Sequence, residues 1–415
     1  MSKRYVNLSN LSGAFFLQAG NFLVPIALLP ILISSLGISG YGTFSFIYAV
    51  IQYFILLTDW GFILYATRQV SLHRHDREIV SQVFWTTIFT RSFLCGISYI
   101  ILELGCLLFD ISPNVYRWAF LAVCASAISP IFFFQGQEQL GRVALINTLI
   151  KFLTVPVVWL TVNDPDHLTL AISIYGIFNF LASLSIFVYL LRLNRIDFPV
   201  LEKINIFYTL KDSWPLFIST ASVSLYTNSN IVILGLMVNP TTVGIFSSAM
   251  LIIRALQGIY QPVSQVFFPK ISHAFSKDLD DGIAIFRFLL LWQGSLTLVA
   301  SVSLFIFGPQ IMLLLIGEDS ETATSVILWL SPLIFLTGLS NIFGIQGMVS
   351  LGYNQAFKKI LLISGVLNIG LAIPMSFLMG AQGTAISVLL TELVITVAMC
   401  WFLYLRQPLF FKNIF

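Results

Sequence analysis

Apolar residues in this chain run in blocks long enough to cross a bilayer, separated by short polar connectors. A spanning helix needs about 20 apolar residues, and such windows fall at 8–35, 41–66, 80–108, 117–138, 143–162, 168–191, 212–237, 243–268, 284–316, 322–350, 359–379 and 383–405. The pattern predicts an all-α integral membrane protein of about twelve transmembrane helices. The first window is too long for a signal-peptide core and no small-x-small cleavage site follows it, so it is expected to remain in the mature protein.

The connectors differ sharply in charge. Lys3, Arg4, Arg68, Arg74, Arg77, Arg142, Arg192, Arg195, Lys203, Lys211, Lys270, Lys277, Lys358, Lys359, Arg406 and Lys412 fall on the side of the termini, and Arg117 alone falls in a connector on the other. By the positive-inside rule both termini are expected in the cytoplasm. The outer connectors are short, which leaves no room for a large extracytoplasmic domain. The longest connector, roughly 192–211, suits a linker between two six-helix lobes, predicted at 1–195 and 212–415 with the linker at 196–211. Tyr41-Gly42-Thr43-Phe44-Ser45 and Val243-Gly244-Ile245-Phe246-Ser247 open the second and eighth windows and share Gly, Phe and Ser in register. That echo fits a duplicated 6 + 6 transporter around a central cavity.

Composition narrows the class. With 58% hydrophobic and 9% charged residues the chain is too apolar for a soluble globular protein. The net charge of +3 is small and scattered through connectors, so no nucleic-acid partner is expected. Cys95, Cys106, Cys124 and Cys400 lie in apolar windows at spacings that match no metal or redox pair. His73, His75, His167 and His273 fall in connectors, none with a His partner at i+4. No P-loop, metal-ligand cluster or cofactor motif is present, and no enzymatic constellation emerges. The dense run from Arg68 to Glu78 reads as a cytoplasmic anchor among membrane lipids.

Four basic residues remain inside the apolar windows: Arg91, Lys151, Arg254 and Arg287. A cation at the bilayer centre costs about 3 kcal/mol or more, so it normally faces a protein-lined cavity or an acid. Arg254 and Arg91 are expected near the midplane, while Lys151 can partly climb toward water and Arg287 can snorkel fully. Candidate acids are Asp59, Glu103 and Glu392. Asp59 can pair with a neighbouring helix, and Glu103 is too far along the helix to reach Arg91. The surplus of cations suits a phosphate- or pyrophosphate-bearing substrate. Gln18, Asn21, Gln52, Asn228 and Asn230 can add hydrogen bonds to sugar hydroxyls or act as interhelical polar contacts. Pro25, Pro30 and Pro215 permit bends in the first helix of each lobe.

Several runs are familiar as a set. Asn21-Phe-Leu-Val-Pro25, Pro30, Leu36-Gly37, Tyr41-Gly42-Thr43-Phe44, Asp59-Trp60-Gly61-Phe62, and Ala66-Thr67-Arg68 followed by Arg74 and Asp76 resemble the N-terminal signature of Wzx-type O-antigen flippases. Phe134-Gln135-Gly136-Gln137-Glu138 resembles an aromatic-Gln-Gly-x-Glu element of that family. Arg254-Ala255 with Gln257, Pro262-Val263-Ser264-Gln265 and Phe268-Pro269-Lys270-Ile271-Ser272 continue the likeness. The resemblance implies the fold of the multidrug/oligosaccharidyl-lipid/polysaccharide exporter superfamily. It also implies alternating-access transfer of a polyprenyl-pyrophosphate-linked oligosaccharide from the cytoplasmic to the periplasmic leaflet of a bacterial inner membrane. Polysaccharide polymerase and chain-length machinery are the further partners it suggests, and an ion gradient the driving force.

On that reading Arg254, Arg91, Lys151, Gln52 and Asn21 contact substrate, and Asp59 and Glu392 are ion-coupling or structural carboxylates. Met250 and Leu251 stand where the family often has a Glu-Lys pair, and Phe134 where Trp is common. Two rival readings differ in their demands: an organic-cation exporter of the same superfamily needs acids in its cavity, and a membrane polysaccharide polymerase needs a large outer loop.

Overall fold

A computed structural model describes residues 8–198, 205–317 and 321–407, with the side chains of residues 8–19, 225, 226 and 262 outside that description. Lys3, Arg4, Lys203 and Lys412 fall outside the described residues, as does the side chain of Gln18.

The described residues are helical with no strand. The order is α1 Leu8–Asp59, α2 Phe62–Leu72, α3 Arg77–Leu108, α4 Pro113–Ile128, α5 Ile131–Gly136, α6 Leu140–Phe152, α7 Thr154–Thr161 and α8 Leu168–Arg192. After these come α9 Ile206–Met237, α10 Pro240–Gln257, α11 Gln261–Lys277, α12 Leu279–Ile316, α13 Glu321–Leu330 and α14 Pro332–Asn341, a π-helical segment Ile342–Val349, and α15 Asn354–Arg406. Eight helical stretches among the described residues are long and apolar enough to cross a membrane. Two of these, Gly20–Leu72 and Asn354–Arg406, are far longer than one crossing needs.

Glycine breaks both. Gly37 leaves helical geometry at φ 72°, ψ 169° inside α1, and Gly380 at φ 56°, ψ −130° inside α15. Only glycine takes such angles without a Cβ clash. Pro25 and Pro30 sit within the helical part of α1, and the non-helical angles fall at Gly37. Polar residues define several other boundaries. Asp76 caps α3 by accepting from the Ile79 amide at 3.0 Å, and Asn239 caps α10 by accepting from Thr242 at 2.9 Å, with Pro240 at the first helical position.

The chain divides into two compact units: Met1–Gly37 with Ile47–Ser224, and Ile38–Phe46 with Leu225–Phe415. In the first, α8 packs on α4 and α6, and a core of Ala66, Val70, Phe84, Phe132, Phe133, Phe134 and Ile186 joins α2, α3, α5 and α8. In the second, α12 packs on α11, α13 and α14. One core gathers Phe246, Ile253, Val326, Ile334 and Ala385, and another gathers Phe286, Phe343, Met399 and Leu403. Both cores of the second unit sit beside buried polar bonds. Gln346 in the π-helical segment donates to both Ser264 oxygens at 2.8 Å, Gln293 donates to the Gly338 carbonyl at 3.1 Å, and Asn368 donates to Thr391 at 3.1 Å. Where lipid supplies no hydrophobic drive between helices, such bonds and close small-residue contacts hold them together.

The second unit contains one such contact between the two glycine runs that echo each other. A Cβ on Gly42 would strike the Pro240 carbonyl and come within 2.7 Å of the Gly244 nitrogen, and one on Gly244 would strike the Ile38 carbonyl.

Candidate functional site

Pairing sorts the intramembrane charges. Arg91 is 2% exposed on α3, and its guanidinium donates to the Asp59 carboxylate at the end of α1 and to the Ser129 carbonyl at 3.1 Å. The Phe132 ring lies 5.2 Å below the same group. Carboxylate, carbonyl and ring together surround the guanidinium. Glu103 accepts two bonds from Arg117, at 2.7 and 2.8 Å, in the bidentate geometry that guanidinium and carboxylate favour. Arg287 is exposed on α12.

Two of the cations that are not exposed are left without a carboxylate among the described ion pairs. Arg254, three residues before the end of α10, is half-buried and donates to the Thr227 carbonyl of α9 at 2.8 Å. Asn228 and Asn230, the latter 3% exposed, follow Thr227 on that helix. Lys151, in the last turn of α6, donates to Asn21 Oδ1 at 3.1 Å. Beside it lies a cavity of about 40 Å³, with Asn21, Thr154, Tyr175 and Asn179 as its other polar walls and Pro25 among the apolar ones. Arg254 belongs to the second unit and the Lys151 cavity to the first.

Glu392, 7% exposed on α15, accepts from the Ser340 hydroxyl of α14, and no base pairs with it among the described residues. Gln52 is exposed on α1. Thr154, Tyr175 and Asn179 escaped the sequence reading. The signal was present in Tyr175 and Asn179, which stand at i, i+4 in an otherwise apolar helix and so share a face.

Two of the runs that carried the family resemblance, Ala66 to Asp76 and Phe134 to Glu138, dock on each other in the first unit. Thr67 donates to the Phe132 carbonyl at 3.3 Å, Glu138 pairs with Arg74 at 3.3 Å, and Gln137 donates to the Arg74 carbonyl at 3.4 Å. A Cβ on Gly136 would meet Val70 Cβ at 2.7 Å and the Thr67 carbonyl at 2.8 Å. Asp59 holds Arg91, while Trp60 takes a left-handed φ of 46°, stacks on Phe217 at 4.1 Å and donates to the Leu210 carbonyl at 3.1 Å. These motifs thus have an architectural basis.

The helix arrangement is that of a solved transporter. An inward-facing multidrug resistance MATE family transporter of the MOP superfamily superposes with a TM-score of 0.72 at 12% identity, covering 96% of this chain and 99% of that one. The long apolar helices and this superposition define an all-α, multi-pass membrane protein with the fold of that structure. Sequence takes this further. Residues 8–275 match the family described as "Polysaccharide biosynthesis protein". The chain is 31% identical over 388 residues to a "Putative O-antigen transporter" of Escherichia coli (strain K12), covering 93% of this chain and 94% of that protein. It is 24% identical over 391 residues to a protein of the same name from Shigella dysenteriae, covering 93% and 97%. The chain belongs to the polysaccharide biosynthesis protein family.

Proposed function

We propose that the chain is a flippase that carries polyprenyl-pyrophosphate-linked O-antigen or polysaccharide repeat units from the cytoplasmic to the periplasmic leaflet of a bacterial inner membrane by alternating access. The single observation that carries this reading beyond the family is Arg254. Its guanidinium is held by one backbone carbonyl and by no carboxylate among the described residues, so planar donors remain for an anionic ligand. Phosphate oxygens match that fork, and a diphosphate brings more charge than any uncharged sugar can. Gln52 and Asn21 are proposed as contacts of the glycan. Cytoplasmic termini and two six-helix lobes at 1–195 and 212–415, joined by a linker at 196–211, complete the proposal, with polymerase and chain-length proteins receiving the product.

The test is transfer of a fluorescent polyprenyl-diphosphate oligosaccharide between leaflets of vesicles containing the purified chain, with and without an imposed proton or sodium gradient. Transfer by the wild-type chain and its loss in Arg254→Ala, with membrane insertion and melting temperature retained, is the expected result. Wild-type transfer by Arg254→Ala would refute the assignment of that residue, and no transfer by a folded wild-type chain under either gradient would refute the function.

Glu392 favours a second reading, an organic-cation exporter, because it is a buried carboxylate with no described basic partner. Efflux of a fluorescent cation from the same vesicles, abolished by Glu392→Gln, would support that reading over the first.

A further inference from the structure

Helices α3 and α4 pack on each other in the first unit, and their side-chain contacts form a ladder. Glu103 accepts from Arg117 at 2.7 Å, Tyr99 lies edge-on to Phe120 at 5.3 Å, and Arg91 donates to the Ser129 carbonyl at 3.1 Å. Between the last two rungs stand Cys95 and Cys124, with their sulfurs 3.9 Å apart. Each move of four residues along α3 is matched by three to five residues the other way along α4, the register of antiparallel helices. Spacing along the chain announced no redox pair, because only this register brings the two thiols together.

The neighbouring rungs hold them there. Cys95 is four residues from both Arg91 and Tyr99, so it shares their face of α3. Disulfide sulfurs stand about 2 Å apart, and turning one Cβ–Sγ arm between staggered positions is enough to cover the remaining gap. Cys106 lies further along α3, level with the start of α4, and is not placed to compete.

Depth selects the oxidant. Cys95 is 13 residues before the end of α3 at Leu108, about 20 Å along the axis. Cys124 is 11 residues past the start of α4 at Pro113, about 16 Å along the axis. A protein oxidase cannot reach that far into the bilayer. Both thiols are half-buried rather than sealed, so a small neutral oxidant that crosses the bilayer does reach them.

We infer that Cys95 and Cys124 are an oxidation site, at which hydrogen peroxide forms an intramolecular disulfide between α3 and α4. One sulfur attacks the peroxide: an S–O bond forms, the O–O bond breaks, and water leaves with the thiol proton, giving a sulfenic acid. The other sulfur then displaces that oxygen: the S–S bond forms, the S–O bond breaks, and a second water leaves with the second proton. Two thiols lose two electrons in all, and one peroxide is reduced to two waters. The bond fastens α3 to α4 one helical turn from Arg91, and a dithiol reductant reverses it. It forms whether or not the chain moves glycolipid.

The full chain is purified into nanodiscs under dithiothreitol, desalted and treated with hydrogen peroxide. Free thiols are then counted with a maleimide after denaturation, and linked peptides are identified by mass. The expected result is loss of two of the four thiols, their return with dithiothreitol, and one linked peptide pair that holds Cys95 and Cys124. Cys95→Ser and Cys124→Ser should each abolish the link, while Cys106→Ser and Cys400→Ser keep it. Four free thiols in the treated wild type, a link that includes Cys106 or Cys400, or sulfinic acid in place of the link would each overturn the proposal. If a serine variant does not fold, the wild-type peptide map decides by the same outcomes. Because no glycolipid enters this assay, its failure and a failure of flipping are read separately.

Discussion

Gly42 and Gly244 meet backbone to backbone, with no room for a Cβ on the first beside the amide nitrogen of the second. They are the matched glycines of the two echoing runs, so what reads in sequence as a faint repeat is in space a single contact. Glycine is required here by the close approach of Pro240 and Ile38 carbonyls rather than by backbone angles.

Gly42→Val is therefore expected to destabilise the protein by about 1–3 kcal/mol, the usual cost of overpacking. Thermal unfolding in detergent checks this, with Gly96→Val as control, since a Cβ at Gly96 meets nothing within 4 Å. Equal melting temperatures for the two variants would remove the contact from the account.

Arg91 and Asp59 form the most enclosed ion pair of the chain's described residues. Arg91→Met strands a carboxylate and should cost about 3–5 kcal/mol, while Asp59→Leu with Arg91→Met together should recover most of that loss. A double-mutant cycle on unfolding measures the coupling. Additive losses would show that the two residues act independently.

Two neighbours in the docked motifs should behave oppositely. Arg74→Ala breaks a solvent-exposed pair with Glu138, which is worth under about 1 kcal/mol. Gly136→Val forces α5 off α2 and should cost about 1–3 kcal/mol. Paired melting curves test the contrast, and a larger loss in Arg74→Ala would reverse the assignment.

Arg254→Lys keeps the charge and discards the planar fork. Transport is expected to fall about tenfold against wild type while the half-saturating ionic strength for inhibition is unchanged. Full activity in the lysine variant would mean that point charge suffices, and that Arg254 does not grip phosphate oxygens in pairs.

The membrane class, the helical breaks at polar connectors and the family were legible in sequence because bilayer thickness imposes an apolar length and motifs impose residue types. The Asp59–Arg91 partnership was legible as a possibility of charge pairing, but its completeness was not, since a backbone carbonyl at Ser129 and a ring at Phe132 leave no mark in charge counts. The break at Gly37 was not legible for a related reason. Proline announces itself in sequence, yet a helix interior tolerates Pro25 and Pro30 when neighbours absorb the missing donor, and the turn goes to Gly37. The Lys151 cavity was only half visible, because its walls come from four helices and each polar wall residue alone is an ordinary polar residue in a membrane helix.

Ile342–Val349 winds as a π-helix. A π turn holds more residues than an α turn, so the segment carries surplus length that an α-helix over the same rise would not contain. Gln346 sits in its middle and reaches both oxygens of Ser264. Winding, here, is an aiming device: removing one residue would swing everything beyond it by about 100° around the helix axis, turning the amide away from its serine while deleting almost no packing volume.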